Sequence, residues 1–556
     1  MGLFETFDAR CYPYPSQKTV SYARNGMVAT STQLASQVGI EIMKKGGNAV
    51  DAAVATMIAT TVIEPTMNSI GSDNFAIVWM KDKMYGMNSS GPAARALSAE
   101  QLQKDGFKKM PTFGWHAVNV PGAPAGWRAL SERFGNLPFE DLFEEAIRYA
   151  EEGFPVSPQV VTDWEANLGL FKKCAQGPKT EGIPFQGLDE AQLKPLLEYF
   201  APNGRAPKPG EIFKNPDVAK SLRLIRDTKG DALYKGEIGD ALVKFAQENG
   251  GYMTKEDLES YKVEWVDPIS VNYRGYDVWE IPPNGNGISL LMALNILKGF
   301  ELPENEKECA RTYHLLFESM KLAYADSMNY VTDPRYMTVT PEMMLDEKYA
   351  AERRKLIKMD SALMPSPGKP SPGGTVYCAT ADKDGNMVSM IQSNYMMFGS
   401  GIAVPGYGFP LNNRGSAFSF DPNTANYLVG GKKSFHTIIP GFLTKDGKAV
   451  GPFGCVGAFI QPQGQLTLLT NTIDFHMNPQ AAIDSPRWFW EEGKRIAVEK
   501  DLPEHIYDQL SRMGHNLVRG NYKPNMGRAQ IIWRDPETGV LCGATDKRCD
   551  GTPAVY

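Results

Sequence analysis

The stretch GTVYCATADKDGNMVSMIQS, residues 374–393, constrains the fold more than any other. Val376, Tyr377, Cys378, Ala379 and Thr380 alternate as a strand, Asp384-Gly385 is a tight-turn pair, and Met387 to Ser393 returns as a second strand. A Pro/Gly lead of Ser371, Pro372, Gly373 and Gly374 runs straight into this hairpin. Thr375 is thereby placed where a flexible loop meets the first position of a buried strand.

Upstream, apolar residues recur at helical spacing from Thr32 to Lys45, and an Ala-rich helix follows from about Asn48 to Ile63. The first strand is read at Phe75 to Met80. Helices are expected near 288–297 and 312–330, with two strands around Arg274-Gly275 between the helical regions. Downstream come a strand pair around 436–455 with the turn 445–447, helices at 462–475 and 478–484, and a strand at 529–534. Paired sheets with helices outside them fit an α/β layered sandwich better than a Rossmann or barrel fold. The 42% of hydrophobic residues are spread along all 556 positions without a linker, which predicts one composite core.

The formal charge of −6, from 58 basic and 64 acidic residues, provides no basic stripe for nucleic acid and no polybasic anchor for a membrane. Small-molecule chemistry is the default expectation. With no signal-like N-terminus and no run of 18 apolar residues, a cytoplasmic location is predicted; MGLFET fits a myristoylation pattern that arises often by chance. Seven scattered cysteines without a C-x-x-C read as reduced thiols. No G-x-S-x-G, G-x-x-x-x-G-K-[ST] or H-E-x-x-H occurs, and the six histidines form no i, i+4 pair, so no metal and no cofactor is expected. Gly285-Asn286-Gly287 is read as a tight turn feeding a helix, since Leu290 stands at the third glycine position of a dinucleotide loop.

An alcohol is a poor nucleophile without a base. Cleavage between Gly374 and Thr375 would place a new α-amino group beside the Thr375 hydroxyl, and its reference pKa of about 7.7–8.0 makes it a usable base. The glycine pair suits the strained backbone of such a break. Cys378, three residues into the strand, is the rival nucleophile; it points to the opposite face, and core packing is its simpler reading.

The segments GGNAVDAAVA (46–55), MNSIGSDNFAI (67–77), VPGAPAGW (120–127), PPNGNGISLLMALNIL (282–297), GTVYCATADKDGN (374–386), FGSGI (398–402), LNNRGSAFS (411–419) and DFHMNPQAAIDSPR (474–487) resemble the γ-glutamyltransferase family of N-terminal-nucleophile hydrolases. The resemblance implies a four-layer αββα sandwich and autocleavage into residues 1–374 and 375–556. It makes Thr375 the nucleophile, Ser393 its hydrogen-bonding hydroxyl, and the backbone N–H groups of Gly457 and Ala458 the oxyanion hole. The two fragments form one composite unit, with a dimer of such units as a further expectation.

The substrate positions depart from the family. Asn88 stands where an Arg binds the substrate α-carboxylate, Ala417 where an acidic residue binds the α-amino group, and His436 and Thr437 where paired serines help hold the carboxylate. Tyr395 replaces an Asn that touches substrate. Asn412 and Asn413 either line the site or satisfy a turn, and Arg414 either meets a substrate carboxylate or is structural. The expectation is an amidohydrolase for a small anionic acyl group without an α-amino group, glutaryl- or oxamate-like. A γ-glutamyl transferase and an unprocessed binding protein are the alternatives.

Overall fold

The structure is a computed structural model that describes residues 8–11, 17–176, 187–365, 374–520 and 526–556. The sequence readings on MGLFET and on Ser371, Pro372 and Gly373 lie outside the described residues. Two seven-stranded antiparallel sheets form the centre. One runs in the order Ala554–Val555, Gly26–Thr30, Gly374–Asp382, Met387–Tyr395, Asp73–Met80, Lys83–Ser89, Glu264–Val266. The other runs Ser21–Ala23, Leu541–Thr545, Arg528–Arg534, Lys448–Val456, Gly441–Lys445, Tyr276–Glu280, Ile269–Tyr273.

Alternation along the strands sorts the side chains into layers. Tyr377, Ala379, Phe75, Ile77 and Ile391 of the first sheet meet Phe442, Val456 and Ile532 of the second in one buried cluster. Full burial of large apolar side chains like these contributes roughly 1.5–3 kcal/mol each relative to exposure. The sheets come closest where Gly454 lies under the Tyr377 ring, with no room for a Cβ.

Residues of opposite parity, Val376, Cys378, Val388 and Met390, face a helical layer that includes Gln33–Lys44 and Ala49–Ile63. The second helix is buried along its whole length and starts at a capping box, in which the Asn48 side chain accepts from Asp51 N–H and the Asp51 carboxylate accepts from Asn48 N–H. On the far side of the other sheet, Gly287–Leu297, Ala310–Tyr330 and Ile460–Ile473 pack on Leu443, Phe453, Cys455 and Ile531. The architecture is the four-layer αββα sandwich.

Two strands, Ser21–Ala23 and Gly26–Thr30, precede the one at Asp73–Met80 that sequence analysis places first. GMVAT is five residues, buried throughout, so it carries no alternation to read; its partners are Gly374–Asp382 and Ala554–Val555. A small sheet of Trp488–Glu492, Arg495–Glu499 and Asn516–Gly520 is also additional to the sequence reading. Both large sheets draw strands from before and after residue 374, so the two predicted fragments interleave.

Candidate active site

The hairpin forms at the expected turn, where Gly385 has a positive φ of 81°. The Asp382 carboxylate locks it. Oδ1 accepts from the N–H groups of Asp384 and Asn386, and Oδ2 accepts from Ala49 N–H at the start of the buried helix.

At the open end the register slips. Gly374 pairs with Tyr395 but Val376 pairs with Gln392, so Ser393 and Asn394 together oppose Thr375. This bulge, with Tyr395 at φ 78°, brings the Ser393 hydroxyl to the nucleophile position. Thr375 is buried. Its Oγ1 lies 2.7 Å from the Gly374 carbonyl oxygen and 3.1 Å from Ser393 Oγ, and Gln461 Nε2–H approaches it at 3.4 Å. Ser393 Oγ donates to Gly374 O at 2.7 Å and accepts from Tyr395 N–H at 2.8 Å. Each hydroxyl has one hydrogen: with that of Ser393 on the carbonyl, that of Thr375 is directed to Ser393.

Gly457 and Ala458 lie between the strand Lys448–Val456 and the helix Ile460–Ile473, with φ of 122° and 58°. Only glycine fits the first, since a Cβ there would run into the Ile460 side chain. Among the described residues neither of their N–H groups has a hydrogen-bond acceptor. The next carbonyl, that of Phe459, accepts from Gln463 Nε2 at 2.9 Å and from the Tyr324 hydroxyl.

A second buried group centres on Asp73, within the MNSIGSDNF stretch. Its Oδ2 accepts from Arg414 Nε at 3.0 Å and from His436 Nε2 at 2.9 Å. Arg414 Nη1 donates to Thr437 Oγ1 at 3.0 Å, and the guanidinium stacks 4.5 Å from the centre of the Tyr395 ring. Arg414 Nη2 and Asp73 Oδ1 are buried without a hydrogen-bond partner. Burial opposes the Asp73 charge, but the hydrogen bonds and charges of His436 and Arg414 outweigh it and hold the carboxyl below its ordinary pKa. Burial, then the Arg414 charge, pulls His436 down to about 4. The ring is therefore neutral at pH 7, protonated on Nε2, with Nδ1 accepting from Ile438 N–H at 3.4 Å.

The predicted substrate residues thus divide. Tyr395, Arg414, His436 and Thr437 come together around Asp73. Asn88 and Asn413 also take part in internal hydrogen-bond networks. Asn88 Nδ2 donates to Asn284 Oδ1 at 2.9 Å and its Oδ1 accepts from Ser90 N–H and Oγ. Asn413 Nδ2 donates to Thr112 O and its Oδ1 accepts from Met396 N–H, each at 2.9 Å. Both ring nitrogens of His436 are likewise engaged, so it acts on its surroundings through Asp73.

A cleft of about 760 Å³ borders the site. The buried Tyr395, Phe435 and Phe459 line it together with Ala417, Leu322, Asp326, Leu363, Pro365 and the exposed Met364. Cys378 faces the helical layer, and burial raises its thiol pKa far above the ordinary value. Asp73, Gln461, Gln463 and Tyr324 are absent from the sequence reading; for Asp73 the signal was its place inside a matched segment. Among the described residues, one group of His and Glu lies within metal-binding reach, His314, Glu318 and His515, in the helical layer behind the second sheet. No described helix is long and apolar enough to cross a membrane.

The profile of the family described as gamma-glutamyltranspeptidase matches residues 35–556. The chain is 36% identical to a glutathione hydrolase-like YwrD proenzyme of Bacillus subtilis (strain 168), over 94% of this chain and 97% of the relative. It is 33% identical to an acylase ACY 1 proenzyme of Pseudomonas sp. (strain SE83), over 98% and 96%. Among solved structures, a cephalosporin acylase from Bacillus halodurans superposes with a TM-score of 0.93 at 50% identity, covering 99% of both chains.

Proposed function

The chain belongs to the gamma-glutamyltranspeptidase family, and from that premise we propose that it is an N-terminal-threonine amidohydrolase that activates itself by cutting between Gly374 and Thr375. The observation that carries the reading is the Thr375 hydroxyl lying 2.7 Å from the Gly374 carbonyl oxygen while Ser393 donates to that same oxygen. The Ser393 hydrogen bond polarises the carbonyl, and Thr375 Oγ attacks its carbon. The Gly374–Thr375 C–N bond breaks as the ester forms, with the proton passing to the freed amine. Water then hydrolyses the ester, leaving a Gly374 carboxylate and a Thr375 α-amine. The proenzyme names of the two relatives support such a step.

In the mature protein the α-amine takes the Thr375 Oγ proton as Oγ attacks a substrate amide, then delivers it to the leaving amine. The unpaired N–H groups of Gly457 and Ala458 hold the oxyanion on this reading, and water releases the acid from the acyl-enzyme. The two fragments remain one unit because both contribute strands to each sheet.

The substrate class follows from charge. With Asn88 committed to Asn284 and Ala417 on the cleft wall, a free α-amino acid head group has no ionic partners at those two positions. Arg414 holds a buried, unused N–H donor behind Tyr395. The reading is therefore an acyl group ending in a carboxylate and lacking an α-amino group, glutaryl- or oxamate-like.

The test is intact mass under denaturing conditions for the wild type and Thr375→Ala. Chains of residues 1–374 and 375–556 in the wild type, and one uncut chain in the variant, are expected; an uncut, inactive wild type would overturn the proposal. Hydrolysis of N-glutaryl-4-nitroanilide over γ-glutamyl-4-nitroanilide is expected, and the reverse preference would replace the substrate class with the γ-glutamyl one.

A further inference from the structure

The helix Ala310–Tyr330 carries His314, Glu318 and Lys321, all buried, and His515 joins them from the turn before Asn516–Gly520. The spacing suggests a metal site. The hydrogen-bond geometry shows that a cation is already there.

Lys321 Nζ has three acceptors: Glu318 Oε1 at 2.7 Å, His515 Nδ1 at 3.4 Å and the Leu363 carbonyl at 3.4 Å. They match the three hydrogens of an ammonium group. With Nδ1 of His515 accepting, its Nε2–H donates to His314 Nδ1 at 2.8 Å, and His314 Nε2–H donates to the Lys358 carbonyl at 2.8 Å. The other Glu318 oxygen accepts Leu363 N–H at 2.8 Å. Burial keeps both rings neutral, pulling His515 down to about 2 and lowering His314 as well. The chain of bonds is therefore directional and closed, and it ends on the backbone at Lys358 and at Leu363.

A buried ion pair is weak evidence for stability, because apolar residues of similar volume commonly do as well. What this network does is hold both ends of the segment 358–363, whose other backbone ties are the Lys358–Ser361 bridge and the Ala362 N–H donated to Met513 O at 2.7 Å. Leu363, Met364 and Pro365 at its end line the same cleft as the buried Tyr395, Phe435 and Phe459, and Met364 is exposed to solvent, which makes this the outer wall. On the proposed reading, the acyl carboxylate is directed toward Arg414, so the outer wall meets the leaving amine. Residues 358–365 also belong to the part of the large fragment that becomes a free C-terminal end after the cut.

We propose that Lys321, Glu318, His515 and His314 form a latch that keeps residues 358–365 in place as the outer wall of the cleft, and so position the residues that select the leaving amine. The inference rests on the amidohydrolase reading for its kinetic consequence and on geometry alone for the latch.

The test uses the double variant Glu318→Gln/Lys321→Met, which removes both charges together, and His515→Phe, which cuts the link from Lys321 to His314 and Lys358 while leaving the Glu318–Lys321 bond and the cleft residues unchanged. Trypsin reads the latch with no need of activity. Faster nicking at Lys358 in both variants than in wild type is expected, and equal rates would overturn the latch even if the enzyme proved inactive. Kinetics read the specificity, comparing glutaric acid monoamide, which releases ammonia, with N-glutaryl-4-nitroanilide. For the aryl amide alone, KM is expected to rise about 10-fold or more, the scale of a lost pocket contact, with kcat held in both. Equal losses on the two amides would mean a general structural role and would overturn the specificity claim. Stoichiometric zinc in the wild type, lost in the double variant, would overturn Lys321 as the resident cation.

Discussion

Ser393→Ala separates a catalytic arrangement from a fortuitous one. Ser393 Oγ donates to Gly374 O at 2.7 Å, accepts from Tyr395 N–H at 2.8 Å and lies 3.1 Å from Thr375 Oγ1. Alanine removes all three contacts and nothing else. Loss of a hydrogen-bond donor to an oxygen that gains charge costs about 2.7–4 kcal/mol in the transition state, which slows self-cleavage about 10²–10³-fold. The ground state pays separately, since a buried Tyr395 N–H without a partner costs about 1–3 kcal/mol. A time course of intact mass after rapid purification gives the cleavage rate. Urea unfolding of Thr375→Ala with and without Ser393→Ala, both uncut, gives the stability cost. Ser393→Thr, which keeps the hydroxyl, is expected to mature close to the wild-type rate. Fragments appearing at the wild-type rate in Ser393→Ala would refute the assignment of this hydroxyl to the scissile carbonyl.

Arg414→Met leaves Asp73 buried with a neutral His436 as its only remaining hydrogen-bond partner, and a loss of about 3–5 kcal/mol is expected by chemical denaturation. Adding Asp73→Asn is expected to restore most of that stability but not kcat/KM on a glutaryl amide; recovery of both would remove Arg414 from substrate binding. His436 titrates at about 4 in the fold against an unperturbed value of about 6.5, so the unfolded chain takes up the proton first. Its contribution is flat above pH ~6.5 and stability falls between ~6.5 and ~4, by about 3 kcal/mol in all. His436→Asn is expected to flatten that part of the stability profile, and an unchanged slope would show that the fold does not lower the pKa of the ring.

The hairpin was legible because its information is local: an Asp-Gly turn and a two-residue alternation lie within twenty positions. The bulge at Ser393 and Asn394 was not, since the slip arises only when the strand is paired with Gly374–Asp382. Asp73, Arg414 and His436 meet across sequence separations of 341 and 363 residues, beyond any periodicity argument. The resemblance supplied Ser393, Gly457 and Ala458 as positions. It also cast Asn88 and Asn413 as substrate contacts, whereas hydrogen-bond counting assigns their side chains largely to the scaffold. His314 and Glu318 share a helix face at i, i+4, a spacing that a search restricted to histidine pairs passes over.

On the proposed reading, the geometry also separates what maturation needs from what turnover needs. Before the cut, Thr375 N is an amide nitrogen and cannot serve as a base; the hydroxyl meets only Ser393, Gln461 and the carbonyl it is to attack. After the cut, an α-amine with a reference pKa of about 7.7–8.0 takes over the proton. Met387–Tyr395 pairs with this strand from Val376 on and Gly26–Thr30 from Cys378 on, so the strand behind the new terminus stays anchored although one end of the chain is freed. The Gly374 amide is thus the first substrate, processed by the weaker version of the same site. Ser393 consequently weighs more in maturation than in later turnover, and the maturation rate is the more sensitive measure of its role.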